Sequence, residues 1–201
     1  MAGGDGPERA VALRDESVRI EARQEGKSNV ASPTQAPAPV TYTPIGVIHS
    51  EHRRSEKTPI QPVYARDCRG RAEILPQYAE GLKDLDGFSH LLLLYHFHRA
   101  SEPLLTMAPF TDDEPRGVFA TRAPRRPNPI GLSLVRLVRI EGTVLHLRDV
   151  DILDGTPLLD IKPYIPRCER AENAKGGWTE AVDEETARRR GRRGFQGGGA
   201  P

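Results

Sequence analysis

Between residues 40 and 182 apolar and polar positions alternate in short runs separated by glycine, proline and aspartate. The β-branched residues of 40–50 predict an opening strand. Gly46 in its middle marks either a bulge or a close approach of a neighbouring backbone. Residues 50–66 are polar and broken by Pro59 and Pro62, which predicts a long loop. A short strand is expected over 70–75, a helical turn over 78–85 ending near Gly87, a buried strand over 90–98 and a loop over 107–116. Residues 132–140 and 143–150 read as two strands joined around Glu141-Gly142, and 157–165 as the last strand. Short strands at this spacing, with little helical periodicity, predict a mainly β barrel or sandwich carrying short helices.

The flanks read differently. Residues 1–39 are rich in Gly, Ala, Pro, Ser and charge, and 31–39 (ASPTQAPAP) has linker composition. The stretch from Thr186 is rich in Arg and Gly. The expected organisation is a disordered tail over 1–39, one domain over 40–182, and an Arg/Gly-rich tail over 183–201. A length of 201 residues suits one domain plus tails.

Charge and cysteine content narrow the class. A formal net charge of +1 does not announce a nucleic-acid binder by bulk balance. Cys68 and Cys168 are the two cysteines, with no CxxC pair, so a four-ligand zinc site is not expected and a reducing compartment fits. Residues 1–23 show no apolar signal core, and the apolar run 91–94 is far too short to span a bilayer. The expectation is a cytoplasmic protein without a membrane anchor. The doubly wound nucleotide-binding fold needs a Gly-rich strand-to-helix turn. The glycine clusters here, Gly3-Gly4 and 197–199, lie in the flanks, so any nucleotide site must be built another way.

The segment 117–133, G-V-F-A-T-R-A-P-R-R-P-N-P-I-G-L-S, is unusual for a core strand. Pro124, Pro127 and Pro129 fix φ, remove three backbone donors and push their predecessors toward extended conformations. Asn128 is held between two prolines. Arg122, Arg125 and Arg126 project from this stiff scaffold, where guanidinium groups can bind carboxylate or phosphate in bidentate fashion. The plain alternative is a structural loop with solvated arginines.

This run resembles the signature of the TsaA/TrmO family, from which it departs at Ala120, where the pattern favours a hydroxyl. Two more blocks are similar to that family: 87–98 (G-F-S-H-L-L-L-L-Y-H-F-H) and 154–164 (D-G-T-P-L-L-D-I-K-P-Y). The resemblance implies a small antiparallel β-barrel, TsaA-like, that binds S-adenosyl-L-methionine outside the doubly wound framework. It also implies a homodimer and a methyltransferase acting on N6 of threonylcarbamoyladenosine in the tRNA anticodon loop. By motif position it implies cofactor contacts from Pro59, Ile60, Gln61, His98, Arg99, Arg122, Leu132, Asp154, Gly155, Thr156 and Pro157. Ile60 stands where relatives often have Arg, and Arg99 where they often have Gln.

The residues themselves are compatible with that role. Asp154-Gly155-Thr156-Pro157 is a strong turn signal, and Gly155 can take positive φ. Asp160, Lys162 and Tyr164 fall at period two on one face, with Leu159 and Ile161 on the other. Asp154, Asp160 and Tyr164 are the candidates for receiving the acceptor's proton. Arg125, Arg126, Asn128 and Lys162 are the candidates for binding the acceptor. The basic group Arg188, Arg189, Arg190, Arg192 and Arg193 suits either phosphate contacts or solubility. His90, His96 and His98 share parity, but no carboxylate joins them in a compact motif, so no metal site is expected. Asp149, Asp151 and Asp154 lack calcium-loop spacing. Rival readings are the same cofactor with another nucleoside or a small-molecule acceptor, or a non-enzymatic S-adenosylmethionine-binding module.

Overall fold

The structure, a computed structural model, describes residues 38–195. The N-terminal segment read as a tail therefore lies outside the described residues up to position 37. Among the described residues eight strands occur: β1 (Gly46–Ser50), β2 (Arg69–Ile74), β3 (His90–His96), β4 (Thr106–Met107), β5 (Arg116–Gly117), β6 (Ile130–Glu141), β7 (Val144–Arg148) and β8 (Thr156–Pro163). Six of them run β1-β2-β7-β6-β3-β8, every neighbour antiparallel. Because β8 pairs back onto β1, the sheet closes into a barrel and leaves those strands no open edge. The fold is mainly β, as the sequence predicts, and a barrel rather than a sandwich. β4 and β5 form a separate two-stranded ribbon.

The lumen is filled by alternate residues. β3 is apolar almost throughout, yet only Leu91, Leu93 and Tyr95 point inward and are fully buried; Leu92 and Leu94 face outward. Ile48, Val135, Leu145, Leu147 and Leu158 meet them from the other strands. Each such Leu or Ile contributes roughly 1.5–3 kcal/mol by leaving water. The β6–β7 turn passes through Gly142 at φ +59, which suits glycine.

Gly46 marks a close approach: a Cβ there would lie 2.3 Å from the Glu73 carbonyl oxygen across the β1–β2 pair. A bulge occurs instead on β8. Leu94 pairs with Asp160 but Tyr95 with Leu158, so Leu159 is the extra residue. Asp160 and Lys162 do share the outer face, but the bulge turns Leu158, not Leu159, into the core beside Ile161.

The C-terminal stretch corrects the expectation of a tail beginning at 183. After α1 (Pro166–Glu169), Glu184–Arg192 forms a helix, α2. Its Asp183 N-cap accepts from the Thr186 amide at 2.8 Å; Glu184 and Glu185 occupy the first turn and Arg189, Arg190 and Arg192 the last. That polarity complements the helix dipole. Composition hides this signal, because arginine reads as a solvated tail but is also a good helix former.

Candidate functional site

At the end of the barrel where β3 finishes and β6 and β8 begin, a cleft of about 1080 Å³ opens. Six segments line it: the loop after β1 (55–64), the end of β3 and its exit (95–100), the stretch from the end of β4 (107–111), the signature loop with the start of β6 (119–132), the turn before β8 (151–156), and the C-terminal stretch (178–193). Pro59, Ile60, Gln61, His98, Arg99, Arg122, Leu132 and Thr156, expected at the site, all line this cleft, as do Arg126 and Asn128. They come from segments up to 97 residues apart in sequence, Pro59 to Thr156, and only the barrel brings them together.

Several of these side chains are braced. Arg122 donates from Nη1 to Gln61 Oε1 at 2.6 Å, tying the signature loop to the first loop. Gln61 in turn donates from Nε2 to the Ile60 carbonyl. Arg126 Nη1 donates to the Thr121 carbonyl at 3.1 Å. Thr156 donates to the Leu153 carbonyl at 2.6 Å, and its hydroxyl lies 3.4 Å from His98 Nδ1. Burial, then the Arg99 and His96 charges, lower the His98 pKa, which favours a neutral imidazole.

The other expected residues stand apart from the cleft lining. Asp154 accepts from the Ser50 amide at 3.1 Å and from Arg53, with His49 beside it. It fastens the turn onto β1. Gly155, at φ +77, donates from its amide to the Ile48 carbonyl at 2.9 Å, and Pro157 pairs with Val47. Asp160 and Lys162 form an ion pair at 2.8 Å on the barrel's outer face, and Tyr164 packs edge-on against His90. Arg125 donates to the Glu102 carbonyl at 3.0 Å. His90, His96 and His98 do not form a ligand group. Among the described residues the one trio with potential ligand atoms within 4.8 Å of one another is Glu51, His52 and Cys68. Burial, then Glu51, pushes the Cys68 thiol up to about 12.

Two features of the cleft were not singled out from sequence. α2 closes one side: the Gly191 carbonyl accepts from the Ile60 amide at 3.0 Å, Arg190 grips Asp113 at 2.8 Å, and Arg193 lies over the Phe110 ring at 4.2 Å. The second is Asp151, which lines the cleft yet is only 8% exposed. Burial pushes its carboxyl up to about 7, with the Ser133 hydroxyl and the Arg122 charge pulling partly the other way. Its Oδ1 has no hydrogen-bond partner. A lone aspartate within the apolar run Val150-Asp151-Ile152-Leu153 was the available signal for burial.

A closed antiparallel barrel with a polar-rimmed cleft at one end, and no parallel strand pair among the described residues, defines a β-barrel ligand-binding domain rather than a doubly wound nucleotide-binding one. The chain belongs to the tRNA-methyltransferase O N-terminal domain family, whose model matches residues 47–170. It is 54% identical over 144 residues to a probable S-adenosyl-L-methionine-binding protein of Pyrococcus abyssi, covering 72% of this chain and 78% of that one. It is 35% identical over 151 residues to the tRNA (adenine(37)-N6)-methyltransferase of Escherichia coli, covering 70% of this chain and 64% of that one. A crystal structure of TrmO from Pseudomonas aeruginosa superposes with a TM-score of 0.58 at 41% identity, covering 70% of this chain and 63% of that one. The chain thus spans just under two thirds of the length of that methyltransferase and of that structure.

Proposed function

We propose that this protein transfers a methyl group from S-adenosyl-L-methionine to N6 of an adenosine beside the tRNA anticodon, with threonylcarbamoyladenosine as the acceptor. The observation that carries this reading is the convergence of Pro59, Gln61, His98, Arg122 and Thr156, from four separate segments, on one cleft. The names of the relatives supply the cofactor and the tRNA adenine.

The cleft fits such a donor. Its volume of about 1080 Å³ lies just above the range typical of small-molecule sites, roughly 300–1,000 Å³. Its wall mixes apolar surface from Ile60, Leu132 and Ile152 with polar groups from Gln61 and Thr156. In this proposal Pro59, Ile60, Gln61, His98, Arg99, Arg122, Leu132 and Thr156 hold the cofactor, while Asp154, Gly155 and Pro157 shape the turn that carries Thr156. Arg126 and Asn128 meet the acceptor, whose threonyl carboxylate suits a guanidinium partner. Arg125 and Lys162 serve it from outside the cleft.

Bound S-adenosyl-L-methionine supplies an electrophilic sulfonium methyl. The protein's part is orientation, which accelerates such a displacement strongly once both reactants are held. A splayed anticodon-loop base can be presented to the cleft without melting a duplex. A homodimer accords with the outer face of β3 and β6, where Leu94 stands opposite Leu132, itself 48% exposed, and His96 opposite Ile130. Asp160 and Lys162 border that face. In this proposal the protein acts on tRNA in the cytoplasm.

Nucleoside mass spectrometry of threonylcarbamoyladenosine-bearing tRNA, incubated with the protein with and without S-adenosyl-L-methionine, tests the reading. One added methyl on that nucleoside is expected. Methylation of unmodified adenosine instead would replace the acceptor, and binding of the cofactor without turnover would replace the enzyme by a sensor.

A further inference from the structure

The methyl transfer proposed above leaves a proton without an owner, and this inference rests on that reading. An amide-like N6 carries hydrogen, and the methylated nitrogen does not. The earlier candidates for its acceptor sit badly: Asp154 is engaged by Ser50, His49 and Arg53 on the β1 side of the turn, Asp160 is paired with Lys162, and Tyr164 lies against His90. None of the three lines the cleft.

Asp151 differs from them in each respect. It lines the cleft, more than nine tenths buried, and none of the ion pairs among the described residues involves it. Its Oδ1 is without a partner, a costly condition for a buried acceptor unless a ligand completes it. Its neighbours are built rather than accidental. Tyr95, 4% exposed, shares a hydrogen bond of 3.0 Å with Ser133, and both side chains are inward-facing on adjacent strands. Gly131 lets the Tyr95 ring in, for a Cβ there would lie 2.2 Å from Tyr95 Cε2.

We propose that Asp151 is the catalytic base, its carboxylate taking the N6 proton of the acceptor as the methyl group is transferred. The nitrogen–methyl bond forms, the methyl–sulfur bond breaks with its electron pair going to sulfur, and the N6 hydrogen leaves as a proton to the Asp151 carboxylate. The sulfonium charge and the carboxylate charge disappear together, and the proton passes to solvent after product leaves. A carboxyl lifted toward neutrality by burial is a stronger base than an ordinary aspartate yet still ionised at cellular pH in useful fraction.

The test has two arms. In the wild-type protein, infrared spectra recorded across pH, with Asp151→Asn as the subtraction reference, should show a protonated carboxyl band that persists well above pH 5. Its disappearance in the ordinary aspartate range overturns the proposal without any turnover measurement. In the second arm, Asp151→Asn, checked for folding by circular dichroism, should bind S-adenosyl-L-methionine with unchanged Kd by calorimetry. It should lose roughly 100-fold or more in kcat, and lose the fall in rate expected of wild type below about pH 7. Retained kcat with the same pH profile, or a loss found wholly in the cofactor Kd, overturns it. Absence of methyl transfer in wild type strikes the proposed function instead, so the two failures are distinguishable.

Discussion

Gly191 lies against the ring of Tyr64 so closely that a Cβ on it would come within 2.4 Å of Tyr64 Cδ2. This contact sets α2 beside the loop that carries Pro59, Ile60 and Gln61, and the Ile60 amide completes it by donating to the Gly191 carbonyl. Helix propensity favours Ala over Gly by about 1 kcal/mol, so packing and propensity oppose each other here. Gly191→Ala is expected to release α2: tryptic cleavage within 184–193 should quicken and cofactor affinity should fall, while the barrel's melting temperature changes little. Slower cleavage would mean that Tyr64 yields and propensity wins.

Gly131 plays the equivalent part inside the barrel. Gly131→Ala should push Tyr95 off Ser133 and cost roughly 1–3 kcal/mol, as overpacking of a filled core does. Thermal unfolding of the variant gives the value, and Tyr95→Phe with Gly131 intact separates the lost hydroxyl from the lost space.

Arg122 reaches Gln61 across the cleft. Arg122→Ala is expected to lower methylation by roughly 10–100-fold, the worth of a charge-assisted hydrogen bond, with the fold intact by circular dichroism. Equal activity in the folded variant would remove Arg122 from the site.

His52 is 3% exposed, with Nε2 at 2.8 Å from the Val150 carbonyl and Phe195 packed edge-on at 4.7 Å. Burial lowers its pKa below 6.5, partly opposed by the Val150 contact and Glu51. The unfolded chain therefore binds a proton near pH 6 that the folded one refuses. Stability from this group is full above about pH 6.5 and falls as pH drops below it. Melting temperatures from pH 5 to 7.5 should show the fall, and His52→Gln should flatten it.

Arg188, Arg189 and Arg192 are exposed on α2, unlike Arg190, which Asp113 engages, and Arg193, which lies over Phe110. If they meet tRNA phosphates, replacing all three with Ala should weaken tRNA binding and reduce the slope of log affinity against log salt by about 2–3. An unchanged slope in filter-binding titrations would leave them as a solubility feature.

The strands of the barrel were legible locally because inward and outward positions alternate, as in β7, where Leu145 and Leu147 are buried and their neighbours are not. The turn chemistry of Glu141-Gly142 and of Asp154-Gly155 was legible too, since a left-handed backbone favours glycine. The motif residues of the cleft were readable in type and spacing, though not their division between cleft and support: nothing local says that Asp154 turns toward β1 while Thr156 lines the cleft.

The sequence by itself determined the β class, the positions of the six barrel strands and the absence of a glycine-rich strand-to-helix turn, because those depend on neighbours within a few residues; the short β4–β5 ribbon lay in a stretch read as loop. Tertiary structure decided the rest. Closure of β8 onto β1 made a barrel out of strands that would equally have made a sandwich. The bulge at Leu159 set which side chains face the core, and the shape of Gly191 against Tyr64 turned an arginine-rich stretch into a wall of the cleft. Asp151 shows the reason most plainly. Its ionisation is governed first by the exclusion of water and then, in the opposite direction, by the side chains of Ser133 and Arg122, and these meet only when the barrel has closed.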